Sequence, residues 1–446
     1  MRTPTRSLRW AAIASLLMLV AVACGGDDDD DETGQPATTA ATGGAQTQEL
    51  QRVGGTMEVA AVWSGQEQAS FRQVLDAFTA KTGTQVTFTS TGDNIATVLR
   101  TRIEGNSPPD VAVLPQPGLL RDLANQNALK PIDDLVGSAL TQNFAPHWKD
   151  LGTVNGRLFG LFFKGANKSL VWYNTTAFRN AGVQPPRTFD ELLRTAQTIK
   201  DSGVTPFSLG GGAGWVLTDL FENIYLRQAG PDRYDQLSRH QIPWTDQSVR
   251  DALRTMGRLL SDRTNFAGVV TQTQFVQSVD NVLRNPPAAA MVIEGDFVPG
   301  SATQKATPVT DYNSFAFPSI NNSPPSVVGG GDAVVMLKDT PQAKELVKFL
   351  ASAEAAEIWA KLGGFSSPNR RVNASIYPDD VTRNNATALA QATIFKFDMS
   401  DLAPADFGGT PGRGEWALLQ QFADNPSDVD GIATQLEAAA AAASWS

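Results

Sequence analysis

The chain has 446 residues, with 36 Lys and Arg against 46 Asp and Glu and a formal net charge of −10. That length allows two or three domains, and the acidic balance argues against nucleic acid and against polyanions held by bulk electrostatics. A single cysteine leaves no internal disulfide to form.

Residues 1–23 read as a secretory leader rather than as part of a fold. Arg2, Arg6 and Arg9 form a basic n-region, Trp10 to Ala23 is an apolar run of 14, and small residues lead up to Cys24. The run is too short and wrongly flanked for a membrane span. Leu19-Val-Ala-Val-Ala23-Cys24 resembles a bacterial lipoprotein box, in which the cysteine is lipidated and becomes the mature N-terminus. With the leader's three arginines set aside, the net charge becomes −13. From Cys24 to residue 53 an acidic run and a Thr/Ala/Gly/Gln tract follow, with too few apolar residues to offset ordering entropy. This is expected to be a solvated tether. The acidic run is read as a spacer, since nothing fixes its carboxylates in the geometry a metal requires.

Met57–Trp63 is a short apolar strand ended by Ser64-Gly65. A helix over 68–81 carries Phe71, Val74, Leu75 and Phe78 on one face, and Gly83 stops it. Val86–Ser90 alternates as a second strand, and Asp93 or Asn94 can cap a helix with the stripe Ile95, Val98, Leu99, Ile103. Asp110–Leu114 is a third strand, followed by Pro115-Gln116-Pro117-Gly118 and a helix from Leu119. This alternation predicts a mostly parallel sheet covered on both faces. Ligands of such sheets sit beyond the carboxyl ends of the strands, which places Trp63, Ser64, Gln66, Glu67, Pro115 and Gln116 at one rim.

The apolar runs Leu158–Phe163 and Leu170–Tyr173 flank a polar step, Lys164 to Ser169. The runs read as strands, and the step as a place where the chain leaves one sheet and enters another. A ligand between the sheets would pass close to Phe163, Lys164 and Asn167. The alternative is two strands of one sheet joined by a surface loop. Beyond it, Thr188-Phe-Asp-Glu191 is a capping box, and its helix stops at Gly203. Thr205 to Asp219 is a strand running through a glycine loop into a helix, and helices fill 219–229 and 247–262. Pro287–Ile293 and Tyr312–Pro318 are further strands. Val327–Leu337 brings glycines next to another strand, and Thr340-Pro341 opens a helix in cap-then-proline order. A second helix closes at Gly363-Gly364, and Trp416 lies on a helix of the last third.

The order of these segments resembles the extracellular solute-binding proteins of bacterial carbohydrate ABC importers, in the maltose- and α-glucoside-binding branch. The likeness rests on Phe159–Asn174 with Tyr173-Asn174, on Ala177 to Glu191 with Thr188-Phe189-Asp-Glu, on Met291–Phe297, and on Gly329–Lys338 with Pro341–Phe349. It implies a two-lobed periplasmic-binding-protein type II fold, with mixed sheets flanked by helices and a hinge of three crossings. Lobe one is expected over 54–163 plus 298–350, and lobe two over 164–297 plus 351–446. The implied function is binding an oligosaccharide between closing lobes and passing it to permease subunits, as a monomer, with no cofactor, no metal and no catalytic residue.

Matched position by position, Trp215 and Phe297 fall on sugar-stacking aromatics, Trp416 falls near a third, and Asn167 falls where a relative carries a ligand-binding carboxylate. Sugar chemistry asks for the same residue types independently, because a ring has apolar C–H faces and a polar rim. Candidates at strand ends are Trp63, Trp215, Phe297 and Trp416, with Ser64, Glu67, Gln116, Asn167, Asp219, Asp296 and Asp332. Each aromatic has the alternative of an ordinary core or rim residue. Asp219 has that of charging a helix N-terminus, Asp332 that of a turn, and Asp296 with Glu294 that of shaping the hinge beside Gly295. Trp172, inside an apolar run, is expected in the core.

A secreted glycoside hydrolase needs paired carboxylates, but the strand order is wrong for an eightfold barrel. The two histidines, His147 and His240, are far apart and expected in polar loops. A binder of a glycerol-phosphate-type phosphodiester shares the fold and needs clustered cations, for which only Lys164 and Lys168 are available.

Overall fold

A computed structural model describes residues 49–304 and 306–445. The leader, Cys24 and nearly all of the tether lie outside the described residues. Strand β1 (Thr56–Ala61) is followed by helix Gly65–Thr82, β2 (Gln85–Ser90), helix Ile95–Glu104, β3 (Val111–Leu114) and helix Pro117–Asn125. β1 lies between β2 and β3 and is parallel to both, with Val59 opposite Phe88 and Val111. All four residues of β3 are buried, as expected of a strand covered on both faces. The helix after β1 buries Phe71, Val74, Leu75 and Phe78, the stripe read from the sequence.

A small hairpin, β4 (Thr153–Val154) with β5 (Arg157–Leu158), precedes β6 (Gly160–Asn167) and β7 (Leu170–Asn174). Next in order come β8 (Met291–Ile293), β9 (Tyr312–Ala316), β10 (Val327–Met336) and β11 (Phe395–Phe397). β10 runs antiparallel to β3 and β6, and β11 parallel to β10, which completes a six-stranded mixed sheet. β7 pairs instead with β8 and β9 in a three-stranded antiparallel sheet. The fold is therefore two-lobed and mixed α/β, as expected, and the chain changes sheets between Asn167 and Leu170.

Most of the polar step belongs to β6 itself. Its partner segment Gly329-Gly330-Gly331 offers no side chains, so a polar strand can lie against it. A Cβ on Gly330 would stand 2.7 Å from Lys168 Cε, and one on Gly331 2.9 Å from the Trp148 ring. Only glycine leaves that room.

Sheet membership moves all three expected lobe boundaries, the first from 163/164 to between Asn167 and Leu170. Tyr312–Ala316 pairs with β7, so the stretch after Phe297 stays with the three-stranded sheet. Val298 and Ala302 are buried there beside Trp172. The chain returns to the larger sheet only between Ala316 and Val327. Helix Ala353–Ala360 packs its Trp359 into the first lobe's core, and β11 joins that lobe's sheet. The third crossing therefore follows Phe397. The chain order misled because a short edge strand after a hinge-like Gly-Asp-Phe looks the same whichever sheet it joins.

Local signals held elsewhere. Both arms of the Thr188/Glu191 capping box are present on helix Phe189–Asp201, which stops before Gly203 at φ 86°. Thr340 caps helix Pro341–Leu350. Trp172 is 1% exposed. His147 lies on helix Pro146–Leu151 rather than in a loop. The second lobe's core is mainly helical, with Leu220, Phe221, Ile224, Leu253, Met256 and Phe422 buried together. No helix among the described residues is long and apolar enough to cross a membrane.

Candidate functional site

A cavity of about 660 Å³ opens between the two sheets, within the range of small-molecule sites. Its first wall comes from the carboxyl ends of β1, β2 and β3: Trp63, Ser64, Gln66 and Glu67, then Asp93, then Pro115 and Gln116. Its floor comes from Lys164, Ala166 and Lys168 of the first crossing and from Gly331 and Asp332 of β10. The opposite wall holds Trp215, Gln274, Phe275, Phe297, Thr303 and Trp416.

Eight of the eleven expected side chains line this space: Trp63, Ser64, Glu67, Gln116, Trp215, Phe297, Asp332 and Trp416. Ser64 stands at the N-cap of helix Gly65–Thr82 without using its hydroxyl as a cap. Gln116 donates through Nε2 to the Gly409 carbonyl at 3.2 Å, while its Oε1, though buried, has no partner among the described residues. Trp416 Nε1 is likewise buried and without a partner. A buried donor and acceptor left open cost stability unless something in the cavity meets them. Trp215, Phe275 and Phe297 form one aromatic group, with ring centroids 4.9, 5.8 and 6.2 Å apart.

The other three candidates lie behind the wall. Asn167 Oδ1 accepts from the Ser169 N–H at 3.0 Å, and its carbonyl accepts from the Asp296 N–H at 3.0 Å. Asp296 accepts from Ser366 Oγ at 2.5 Å. Asp219 accepts from Lys168 Nζ at 3.2 Å. Asn167 Oδ1 and one oxygen each of Asp219 and Asp296 are taken up by the junction between lobes, while Asp219 Oδ2 and Asp296 Oδ1 are buried without a partner among the described residues. In sequence, a side chain at a strand end and one at a crossing have the same look.

Two buried lysines organise the floor. Lys164 reaches Glu67 at 2.5 Å, and its ammonium lies 5.1 Å from the Trp359 ring, 5.4 Å from Phe297 and 5.8 Å from Trp63. Burial disfavours its charge, but Glu67 and Asp332 outweigh burial and raise its pKa. Lys168 reaches Asp398 at 2.5 Å, Asp219 at 3.2 Å and Asp401 at 3.3 Å, under the Trp215 ring at 5.9 Å. Against the same burial penalty, these carboxylates hold its pKa well above the ordinary lysine range. Both ammoniums are therefore spent within the protein. A ligand phosphate would find no uncommitted lysine among the lining residues, which counts against the phosphodiester reading.

Burial also pushes the Asp332 carboxyl up to about 6, with Lys164 opposing the shift and Glu67 adding to it. It raises Asp93 too, where Trp215 pulls the other way. Asp93, a helix-cap candidate by sequence, makes no cap bond and lines the cavity from a short turn after β2. Gln274, Phe275, Thr303 and Asp401 escaped notice because they start helices or follow crossings, where no periodicity marks them. No cluster of three or more His, Cys, Asp or Glu among the described residues has metal-binding geometry.

Residues 63–357 match the model of the family described as bacterial extracellular solute-binding protein. The osmoprotective compounds-binding protein GgtB of Synechocystis sp. is 34% identical over 358 residues, covering 78% of this chain and 84% of that protein. The alpha-glucosides-binding periplasmic protein AglE of Rhizobium meliloti is 31% identical over 394 residues, 84% of this chain and 85% of its own. Among solved structures, the bacterial solute receptor AcbH superposes with a TM-score of 0.77 at 20% identity, covering 86% of this chain and 98% of AcbH, which supports the fold alone.

Proposed function

The chain belongs to the bacterial extracellular solute-binding proteins, as a non-catalytic binding component of a carbohydrate ABC importer, and from that premise we propose that it closes its two lobes over an α-glucosidic oligosaccharide. The single observation that carries this reading is the cavity's make-up. Half-buried Trp215 and Phe297 offer apolar faces, while Gln116, Trp416, Glu67 and Asp332 offer acceptors and donors around them. A ring sits with its C–H face on the indole and its hydroxyls on the polar groups. Closure is a population shift, since the sugar touches both walls only in the closed form.

AglE is named for binding α-glucosides, and its match over 84% of this chain supports that sugar class here. The protein acts as a monomer, held to the outer face of the plasma membrane by a lipid on Cys24, and hands its sugar to permease subunits. Calorimetric titration against maltose, maltotriose, trehalose and sucrose, with glycerophosphocholine beside them, tests the ligand. Micromolar binding of a glucoside without hydrolysis is the expected result, and binding of the phosphodiester alone would overturn the sugar assignment. Cys24→Ser is expected to release the protein into the medium; retention in the membrane fraction would contradict the anchor.

A further inference from the structure

Helix Trp215–Ala229 buries far more polar groups than its place in a lobe core requires. Asp219, Glu222, Asn223 and Arg227, at helical spacing along it, are all at most 6% exposed. Charged side chains are rarely so buried unless each has a fixed partner. Their partners are the places where the chain passes between lobes.

At the first crossing, Asn223 Nδ2 donates to the Lys168 carbonyl at 2.9 Å, and Ser169 Oγ donates to Asn223 Oδ1 at 2.5 Å. Asp219 holds the Lys168 ammonium from the same helix. At the second, Arg227 donates from Nη2 to the Ser326 carbonyl at 2.9 Å and from Nε to the Phe317 carbonyl at 3.3 Å. Its guanidinium also lies 4.9 Å from the Phe317 ring. At the third, Glu222 accepts from the Met399 and Ser400 N–H groups at 2.8 and 3.0 Å, and Tyr234 donates to the same carboxylate at 2.5 Å.

Arg227 has no charged partner among the described residues, and burial alone pushes its pKa down to about 9. A guanidinium buried without a counter-ion is a costly way to stabilise a core. Its planar fork instead fits a task of position, since it bridges two carbonyls at opposite ends of one crossing.

We infer that helix Trp215–Ala229 is the clasp that sets the closing angle of the lobes, with Glu222, Asn223 and Arg227 as positioning residues for the three crossings and Trp215 as its contact with the ligand. The inference rests on the reading that the lobes close over a sugar. One rigid element then joins the ligand's aromatic platform to every strand of the hinge. Side chains outside the cavity govern affinity through the closed geometry.

The test uses Arg227→Met and the milder Glu222→Gln in the purified protein. Unfolding transitions confirm the fold, small-angle scattering gives the radius of gyration with and without sugar, and calorimetry with maltose, trehalose and sucrose gives affinity. For both folded variants the expected results are a larger ligand-free radius of gyration than wild type and affinity weaker by about tenfold, with Arg227→Lys recovering part of the loss. Wild-type affinity together with wild-type radii in both folded variants would overturn the clasp. If wild type binds none of these sugars, the sugar reading fails first, and the ligand-free radii alone decide the clasp. Should Arg227→Met not fold, Glu222→Gln carries the same two outcomes.

Discussion

On the wall of the cavity that belongs to the six-stranded sheet, Trp63 is fixed edge-on by Phe71 and Trp359, each 4.8 Å away, and is only 3% exposed. On the opposite wall Trp215 and Phe297 lean on Phe275 and on each other and remain half-buried. An indole whose faces are taken by neighbours holds a core together. One with part of its surface left open can hold a ligand. The first wall is thus a rigid rim built on a continuous aromatic core, and the second is a platform assembled from four separate segments.

The largest expected effect breaks the first wall. Trp359→Ala removes the ring against which Trp63, Phe71, Phe163 and Phe365 pack and is expected to cost about 3–5 kcal/mol of stability, read from the urea midpoint. Trp215→Ala acts on the second wall. It is expected to cost about 1–3 kcal/mol of sugar binding in calorimetry, with little change in the urea midpoint. If the two variants exchanged these signatures, the distinction between core wall and platform would fail.

The smallest effect concerns the floor between the walls. Burial holds the Asp332 carboxyl at about 6 against an ordinary 3.8, so the folded state keeps its proton where the unfolded state loses it. That contribution to stability is complete below pH about 4 and is lost as pH rises through about 6. Asp296, also pushed up to about 6 by burial, acts in the same window and the same direction. Melting temperatures across this range should therefore fall less steeply with rising pH in Asp332→Asn than in wild type. Identical slopes would show that Asp332 keeps an ordinary pKa.

The platform was harder to see in the sequence than the rim. Residues 57–125 alternate strand and helix with clear periods, and the rule that ligands sit at carboxyl ends of parallel strands located Trp63, Ser64, Glu67 and Gln116 at the cavity directly. The second wall comes from helix starts at Trp215 and Phe275, from the Asp296-Phe297 bend and from a helix near the C-terminus, and nothing local links them. Trp215, Phe297 and Trp416 stand out through family resemblance and through the aromatic faces that a sugar ring needs, not through periodicity. Asn167, Asp219 and Asp296 stand at the lobe junction rather than in the cavity lining; a polar side chain that ties two lobes together and one that meets a ligand carry the same local signal. The lobe boundaries failed for a related reason: the side of the hinge that β9 and helix Ala353–Ala360 join is decided by long-range pairing and packing.

Amide hydrogen exchange with and without the tightest-binding glucoside tests most directly whether the ligand spans both walls. The account predicts that residues 62–67 and Gln116 on the first wall gain protection together with 215–219, 274–276 and 297–303 on the second. Protection confined to one wall, with the other exchanging as in the free protein, would contradict a receptor that closes its two lobes around a sugar.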